Sequence, residues 1–438
     1  MPGTAIIGLQ WGDEAKGKIV DLLTSQHDIV VRYQGGSNAG HTIVSEGKTY
    51  KLSLIPSGIF RSHVQSVIAC GVVLDPVAIL KEIHTLTAQG VSIGKNLMIS
   101  DRAHVIFPWH RIEDALFDKI GNNEPIGTTM RGIGPCYRDK VGRSLAIRLG
   151  DFYNSNFKQL IESIADAKNR MLCGLVDSGI DHTLGIQGID ADFNADHIYE
   201  EYLGYAERLQ PYVADTTDYL LNAVDGDRRI LFEGAQGSLL DIDHGTFPYV
   251  TSSNSSGVGI SSGSGVPARF ITKMVGVVKA YTTRVGGGPC PTEQSNEIGN
   301  KLRKRGHEFG TVTGRPRRCG WLDAVAVRYT ARLGGVDALS IMLLDVLSTF
   351  ETVQICTGYE LDGRQICSFP ALSDDLRRVQ PVYETLPGWQ EEITDVRTFG
   401  DLPVNAQNYV KRIRELVGKP VVFVSVGPDR EQTITVEG

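Results

Sequence analysis

A short loop near the start of the chain combines the residue types that bind phosphate. Residues 12–18 read G-D-E-A-K-G-K, which matches the G-x-x-x-x-G-K pattern of a phosphate-binding loop. Such a loop points backbone N–H groups, and the positive end of the helix that follows, at a phosphate. Lys18 closes the pattern and is expected to reach the outer phosphates. For so short a pattern, a glycine-rich turn with surface charges is the alternative interpretation.

The residue after this loop departs from the usual pattern in a way that concerns metal binding. Ile19 stands where a phosphate loop commonly has the Ser or Thr whose hydroxyl binds Mg²⁺. Another oxygen must then hold the metal, and the carboxylate of Asp13 is the nearest hard anionic ligand. Because a carboxylate repels a phosphate, its position inside the loop indicates a metal ligand or a base.

Two further glycine-rich stretches carry polar side chains. Residues 35–42 follow an apolar run and contain His41, which is either a solvent-exposed loop residue or a functional one. Residues 126–135 combine two adjacent hydroxyls with Arg131, a set that would suit a phosphate, although this stretch could also be only a loop.

A basic stretch lies later in the chain, at residues 301–318. A solvated basic face is the usual meaning of such a run. Residues 311–318, however, combine hydroxyls and glycine with the guanidinium groups of Arg315, Arg317 and Arg318. Guanidinium groups suit bidentate recognition of a carboxylate or a phosphate.

Strand-like and helix-like segments alternate along the chain and must position these loops. The predicted strands cover residues 4–11, 29–33, 66–70, 229–233, 275–281, 338–345 and 421–425. The predicted helices cover residues 19–23, 76 to about 89, 157–173, 197–223, 323–332 and 406–417. Such units predict one large α/β domain over residues 1–438, with a mostly helical insertion at 151–226. Its central sheet should be large and mostly parallel, with helices on both faces as in phosphate-loop GTPases, and ligand loops should gather at the strand ends.

Composition narrows the class of protein. Charged residues make up 22% and hydrophobic residues 41% of the 438, which is typical of a globular enzyme. The net charge of −7 argues against general nucleic-acid binding. The seven cysteines include no C-x-x-C pair, which favours reduced thiols and a cytoplasmic location. We expect no signal peptide and no membrane span, because no apolar run has the necessary length.

Nine separate motifs resemble those of the adenylosuccinate synthetase family. They are Q-W-G-D-E at 10–14, G-x-N-A-G-H-T at 36–42, G-T-T at 127–129, R-G-I-G-P at 131–135, E-G-A-Q-G at 233–237, L-L-D-I-D-H-G at 239–245, T-S-S-N at 251–254, T-G-R at 313–315 and G-W-L-D at 320–323. The resemblance implies a ligase of AMP synthesis that uses GTP and Mg²⁺ to join IMP to L-aspartate. GTP would phosphorylate O6 of the purine, and the aspartate amine would then displace the phosphate.

The resemblance also implies a set of site residues. The catalytic residues would be Asp13, as base on the purine N1, His41, as acid, Lys16 and Gln236, and the metal ligands Asp13 and the Gly40 carbonyl. GTP would contact Gly12, Asp13, Glu14, Ala15, Lys16, Gly17, Lys18, Gly40, His41, Thr42, Arg317, Leu343, Asp345, Ser425 and Gly427. IMP would contact Asp13, Lys16, Asn38, Ala39, Gly40, His41, Thr129, Gln236, Thr251, Arg315 and, from the neighbouring subunit of a homodimer, Arg143. Aspartate would contact Thr311, Val312, Thr313, Gly314, Arg315 and Arg317.

Three residues depart from the family pattern. Ala15 replaces a usual Gly, and its methyl group is tolerable only if the residue keeps a negative φ. Val312 replaces a common Thr in the aspartate loop. Leu343 replaces the Lys of the family's T-K-L-D guanine motif, although Asp345 remains. The loss of that ammonium predicts weaker nucleotide binding, with GTP still preferred over ATP.

Two other functions remain as alternatives. A regulatory GTPase would need Ser or Thr after Lys18 and an N-K-x-D motif, and the sequence has neither. A phage-type synthetase that takes dGMP and ATP typically has a smaller residue at the position of Asp13, because the guanine 2-amino group fills that space. The presence of Asp13 argues against this alternative.

Overall fold

The computed structural model describes residues 3–45, 48–118, 126–177, 192–309, 314 and 316–436. The helices in these ranges are α1 (Lys16–Thr24), α2 (Pro76–Ala88), α3 (Pro108–Phe117), α4 (Ile133–Gly142), α5 (Phe157–Asp177), α6 (Ala195–Leu209), α7 (Thr216–Asp225), α8 (Gly259–Ser264), α9 (Glu297–Arg305), α10 (Ala324–Leu333), α11 (Ser373–Arg378) and α12 (Val404–Val417). None of these helices is long and apolar enough to cross a membrane.

The same ranges contain twenty strands. They are β1 (Gly3–Gly8), β2 (Ile29–Arg32), β3 (His41–Ser45), β4 (Lys48–Leu52), β5 (Gln65–Ile68), β6 (Val73–Leu74), β7 (Leu97–Ser100), β8 (His104–Val105), β9 (Val213–Ala214), β10 (Ile230–Gly237), β11 (Ile271–Lys279), β12 (Thr282–Arg284), β13 (Arg318–Gly320), β14 (Leu322–Asp323), β15 (Ala338–Met342), β16 (Thr352–Leu361), β17 (Arg364–Ile366), β18 (Gln380–Pro387), β19 (Val421–Ser425) and β20 (Thr433–Thr435).

Ten of these strands form one sheet in the order β20-β19-β15-β11-β1-β10-β2-β5-β7-β9. Every neighbouring pair is parallel except β19 with β20. The prediction of a large, mostly parallel sheet is therefore confirmed. Every residue of β1 is buried, as expected for a central parallel strand that is covered on both faces.

Alternate side chains of β1 pack on opposite faces of the sheet. Ile6 belongs to a cluster with Ile19 and Val20 of α1. Ala5 and Ile7 face the other way, into the main core that includes residues of α7, α10 and α12. Because successive side chains of a strand point to opposite faces, helices cover both faces of the sheet at β1. The phosphate loop follows at the carboxyl end of this strand.

Two segments differ from the sequence predictions. The predicted helix over 197–223 is wrong: α6 ends at Leu209, β9 joins the edge of the large sheet, and α7 is a separate helix. Pro211 follows the end of α6, and the Asp215 side chain accepts hydrogen bonds from Thr217 N and Asp218 N, which starts α7. A second sheet, which β14, β16, β17 and β18 form, was not predicted from the sequence.

Other helix boundaries follow from local caps that the sequence displays. Asp75 caps α2 through Val77 N and Ala78 N, as predicted for an Asp-Pro pair. Asp323 caps α10 in the same manner. Gly418 ends α12 with φ of +72°, the left-handed conformation that favours glycine at this position.

Candidate active site

A cleft of about 1090 Å³ lies where β1, β2, β10, β11 and β15 end. Because these strands are parallel, their carboxyl ends meet at one edge of the sheet, where α/β proteins bind ligands. The predicted site residues that line the cleft are Gly12, Asp13, Glu14, Ala15, Lys16, Gly17, Asn38, Ala39, Gly40, His41, Thr129, Gln236, Thr251, Arg317 and Leu343. The structure thus brings together most of the residues that the resemblance implied.

The buried side chain of Glu14 stabilises the phosphate loop through hydrogen bonds and an ion pair. Its buried carboxylate accepts hydrogen bonds from Gln10 N at 3.1 Å and Gly12 N at 2.9 Å, and pairs with the Lys16 ammonium at 2.7 Å. Burial opposes ionisation, but Lys16 and these N–H donors still leave the pKa of Glu14 below its ordinary value. A side chain at Gly8 would come within 2.3 Å of this carboxylate, so these contacts require glycine there.

The phosphate loop contains two residues in the left-handed conformation. Asp13 has φ of +60°, and Ala15 has φ of +61° at the N-cap of α1. The methyl group of Ala15 was expected to be tolerable only with a negative φ, and the structure shows a positive φ. The tight turn from the loop into α1 imposes this conformation, which costs a non-glycine residue about 1–2 kcal/mol.

Asp13 stands at the exposed end of a chain of ion pairs. Its carboxylate, 34% exposed, lies 2.8 Å from Nε of Arg317. Arg317 also donates to Glu308 at 2.7 Å, and Glu308 pairs with the buried Lys279 at 2.6 Å and accepts from the Tyr281 hydroxyl at 2.5 Å. Burial of Glu308 opposes ionisation, yet the two cations lower its pKa. This chain links the base candidate to the segment that carries Arg317.

His41 is buried at the cleft wall and is held by two charged residues. Its Nδ1 lies 2.8 Å from Glu233, and its Nε2 lies 2.7 Å from the Arg32 guanidinium. Burial and the adjacent Arg32 lower the pKa of His41, so the ring is neutral at neutral pH. Burial works against the charge of Glu233, but His41 and Arg32 lower the pKa of Glu233 to about 2. These contacts favour the functional interpretation of His41 over an exposed loop residue.

Sequence reasoning missed Arg32 and Glu233 as site residues. Both end apolar strand segments, where a charged side chain must find a partner because burying an unpaired charge is costly. Glu233 is further fixed by the backbone N–H of Ser57 at 2.9 Å and by its hydroxyl at 2.8 Å. A charged residue at the end of a buried strand was the available signal.

Lys18 does not point to the phosphate loop. Its ammonium donates to Ser425 Oγ at 2.8 Å, Gly427 O at 2.8 Å and Gln432 O at 3.0 Å. Lys18 is also absent from the described residues that line the cleft. The sequence pattern predicts that Lys18 reaches the outer phosphates, whereas in this structure acceptors on a distant segment hold its long side chain.

Asp345 lies close to this cluster and has an unused acceptor. Its Oδ1 is buried and accepts no hydrogen bond from the residues that the structure describes. Burial raises the pKa of Asp345, against the attraction of Lys18 and Arg305. Leu343, which lines the cleft nearby, has φ of +58°. An orphaned carboxylate oxygen here is suited to an N–H donor of a ligand.

The part of the cleft wall near Gln236 and Thr251 also holds polar atoms without partners among the described residues. Gln236 donates to Asn38 at 3.3 Å, but Oε1 of Gln236 and Oγ1 of Thr251 are buried and unsatisfied among the described residues. Arg131 donates to the Ser37 carbonyl and so joins the loop at 126–135 to the loop of His41. Buried polar atoms are normally hydrogen-bonded, so these exceptions mark a place for a polar ligand.

Some predicted residues lie elsewhere. Arg143 is exposed just after α4, whose first residues Ile133 and Gly134 line the cleft. A ten-residue helix spans about 15 Å, so Arg143 lies well away from the cleft of its own chain. The predictions for Thr311, Val312, Thr313 and Arg315 fall outside the described residues, as does the side chain of Thr42. Gly314 is exposed, with φ of +64°.

Comparison with known proteins gives the family. The model of the adenylosuccinate synthetase family matches residues 5–434. The adenylosuccinate synthetase of Caldanaerobacter subterraneus subsp. tengcongensis is 50% identical over 438 residues, covering all of this chain and 99% of the relative. That of Clostridioides difficile is also 50% identical, over 435 residues, covering 99% of this chain and 98% of the relative.

Solved structures agree with the relatives. The fully ligated adenylosuccinate synthetase of Plasmodium falciparum superposes with a TM-score of 0.88 at 36% identity, with both chains fully covered. The cyanophage S-2L succinoaminodeoxyadenylate synthetase, bound to dGMP and dATP, has a TM-score of 0.62 at 19% identity and shows the shared fold alone; all of this chain and 96% of that one are covered. The chain belongs to the adenylosuccinate synthetase family, the GTP-dependent ligases that join IMP to L-aspartate.

Proposed function

We propose that the cleft around Asp13 and His41 carries out both steps of this ligation. GTP first phosphorylates O6 of IMP, and the amine of L-aspartate then displaces the phosphate to give adenylosuccinate, GDP and phosphate. The observation that carries the proposal is that a carboxylate and an imidazole line one cleft beside a phosphate loop. Separate ion networks, on Arg317 and on Glu233, hold these two groups.

Asp13 acts as the base of the first step. It accepts the N1 proton of IMP, which makes O6 nucleophilic, and this role fits a carboxylate whose partner among the described residues is a side chain of the cleft wall. Arg317 can then leave Asp13 for an anionic substrate group, because a guanidinium binds carboxylates and phosphates equally well. Glu308 keeps Arg317 in place during the exchange.

His41 acts as the acid toward the phosphoryl group that is transferred. A nucleotide phosphate adds negative charge beside the ring, which favours the protonated imidazole. Glu233 then stabilises the cation through Nδ1, as a carboxylate does for a catalytic histidine in other sites. Lys16, held by Glu14 at the cleft surface, places a further positive charge near the phosphates.

The residues of the cleft fit a magnesium ion. Asp13 and the carbonyl of Gly40 would hold it, and both residues line the same cleft. No cluster of three or more His, Cys, Asp or Glu suited to a metal occurs among the described residues. One carboxylate and one carbonyl agree with Mg²⁺, which keeps several waters and binds largely through substrate phosphates. Bound Mg²⁺ would neutralise the phosphate charge that develops during transfer.

The ligands divide along the cleft. IMP contacts Asn38, Thr129, Gln236 and Thr251, two of which offer unsatisfied polar atoms. Guanine contacts Asp345, Ser425 and Gly427, and the aspartate carboxylates contact the segment 311–317. Seven free cysteines agree with a reducing, cytoplasmic location.

The active enzyme is proposed to be a homodimer in which Arg143 serves the IMP site of the neighbouring subunit. The exposure of Arg143 at the far end of α4, next to the 79% exposed Val141, supports this. Mixing Arg143→Leu chains with Asp13→Ala chains should restore activity, because one site of the hybrid then has both residues intact. Absence of restored activity, under conditions where subunits demonstrably exchange, would contradict the shared site.

A substrate matrix tests the proposed reaction. IMP or dGMP is combined with GTP or ATP, with L-aspartate throughout, and product formation is measured. We expect activity with IMP and GTP. Activity with dGMP and ATP instead would support the phage-type alternative, which the distant structural neighbour represents.

A further inference from the structure

We propose that Lys18, although it ends the phosphate-loop motif, is a positioning residue for the guanine base of GTP and not a phosphate ligand. The inference rests on the proposed function, in which Asp345, Ser425 and Gly427 contact guanine. It follows from where the ammonium lies, which acceptors it uses, and which family residue this chain lacks.

The hydrogen-bonding capacity of Lys18 is already used. An ammonium has three N–H donors. Here Ser425 Oγ, Gly427 O and Gln432 O each lie 2.8–3.0 Å from Nζ. A move of this side chain to a phosphate would break three charge-assisted hydrogen bonds. Lys16, in contrast, lines the cleft with a single carboxylate partner.

The three acceptors belong to one closed segment, residues 425–432. Ser425 Oγ accepts from Lys18 and lies 3.0 Å from Gly427 O, to which it can donate. Gln432 O accepts from Val426 N at 3.0 Å as well as from Lys18. Lys18 therefore fastens this segment to α1 and fixes the direction of the Ser425 hydroxyl. Lys18 thus determines the position of the residues that a guanine base would contact beside Ser425.

Lys18 also brings positive charge to the carboxylate that selects the base. The charge of Lys18 attracts Asp345, whose Oδ1 is buried and without a hydrogen-bond partner among the described residues. In this chain Leu343 occupies the position of the family's lysine, so that ammonium is missing. Burial raises the pKa of Asp345, and the charge of Lys18 opposes this rise, which favours a carboxylate that can accept hydrogen bonds from guanine N1 and N2.

The test distinguishes an effect on binding of the base from an effect on binding of the phosphates. Dissociation constants of GMP, GDP, ADP and a non-hydrolysable GTP analogue are measured calorimetrically, with IMP saturating its own site. For Lys18→Met we expect about tenfold weaker binding, equal for GMP, GDP and the GTP analogue, and a smaller preference for GDP over ADP. The control Lys16→Met should show a loss that grows with the number of phosphates.

Two further variants complete the test. Ser425→Ala removes one acceptor of Lys18 and should give the same phosphate-independent loss, even if Lys18→Met fails to fold. Adding Leu343→Lys to Lys18→Met should restore part of the preference for GDP. A loss that increases from GMP to the GTP analogue in Lys18→Met, or unchanged binding in Ser425→Ala, would overturn the inference. Equal binding of GDP and ADP by the unaltered protein would instead refute the proposed guanine site.

Discussion

Two networks of buried charges behave differently in this molecule. One runs from Lys279 through Glu308 and Arg317 to Asp13 and ends in the cleft. The other joins α3, α4 and α5: the fully buried Lys168 lies 2.8 Å from Glu113 and 2.6 Å from Asp139. His110 adds a contact to Asp139 at 3.1 Å. No described residue of this second network lines the cleft.

The difference lies in which charges can change partners. In the cleft network, the terminal carboxylate is a third exposed and can exchange its guanidinium for a ligand. In the second network, the ion-pair partners of Lys168 are buried side chains. Removal of one partner would leave a buried charge without a counter-charge, which is costly at low dielectric. In this molecule we therefore assign a functional role only to the network that has one end in the cleft. We call the two the cleft network and the helix network.

Asp13→Ala should have the largest effect, at the open end of the cleft network. Loss of a general base alone typically lowers turnover by about 10²–10⁴-fold, and loss of a metal ligand adds to this. Thermal unfolding should change little, because the side chain is partly exposed. Turnover is measured with IMP, GTP and aspartate, and retention of more than a tenth of the original rate would contradict the assigned role.

Lys168→Met should act on stability and not on chemistry. Removal of the ammonium leaves the buried Glu113 and Asp139 without their one fully buried cation among the described residues, although the partly exposed Arg138 still contacts both. Loss of one partner of a buried ion pair costs about 3–5 kcal/mol in comparable cases. Denaturant unfolding measures this loss, and kcat should remain within about twofold while the protein is folded. Lys158→Met is the matched control, because Lys158 pairs with Asp196 at the surface and its loss should leave the unfolding midpoint unchanged. A large fall in kcat for folded Lys168→Met would contradict the claim that the helix network affects stability and not catalysis.

Local signals in the sequence predicted the central features of the cleft region, but not the helices α3 and α4 of the helix network. The phosphate loop, the strand before it and the helix after it are all present, and Asp75 and Gly418 cap their helices as their types suggest. The parallel sheet followed from strand-loop-helix units along the chain. The phosphate loop and the helix caps depend on contacts between residues that are close in sequence.

The contacts that the sequence did not predict join residues that are far apart in the chain. Lys18 meets acceptors about 400 positions away, so its direction cannot be read from its motif. Glu233 contacts His41, which lies 192 positions earlier in the chain, and Lys168 gives no sign of its role until the fold brings Asp139 to it. The left-handed turn at Ala15 likewise depends on the packing of the loop and not on its own residue type.

Glu308→Gln should weaken the cleft network without removing the base. The amide keeps the shape but loses the charge that holds Arg317 and Lys279, which costs about 1.5–3 kcal/mol for a charged hydrogen bond. We expect kcat/KM for aspartate to fall by about 10–100-fold, since Arg317 is proposed to bind its carboxylates. The control is Glu293→Gln, which removes the partner of the neighbouring Arg318 and should change kcat/KM by less than about threefold. Equal effects of the two substitutions would show that Glu308 is no more than a structural partner.

Leu343→Lys should have the smallest effect, because it adds a cation beside a carboxylate that already feels Lys18 and Arg305. Leu343 is only half-buried, so the new charge is screened, and a pair of this kind contributes about 0.2–1 kcal/mol. We expect the KM for GTP to fall by up to about fivefold, with a higher ratio of kcat/KM for GTP over ATP. Leu343→Met is the matched control, because it supplies an unbranched apolar stem without charge. If both substitutions lower the KM equally, packing on the base explains the effect, and the ammonium of the family motif has no role in this chain.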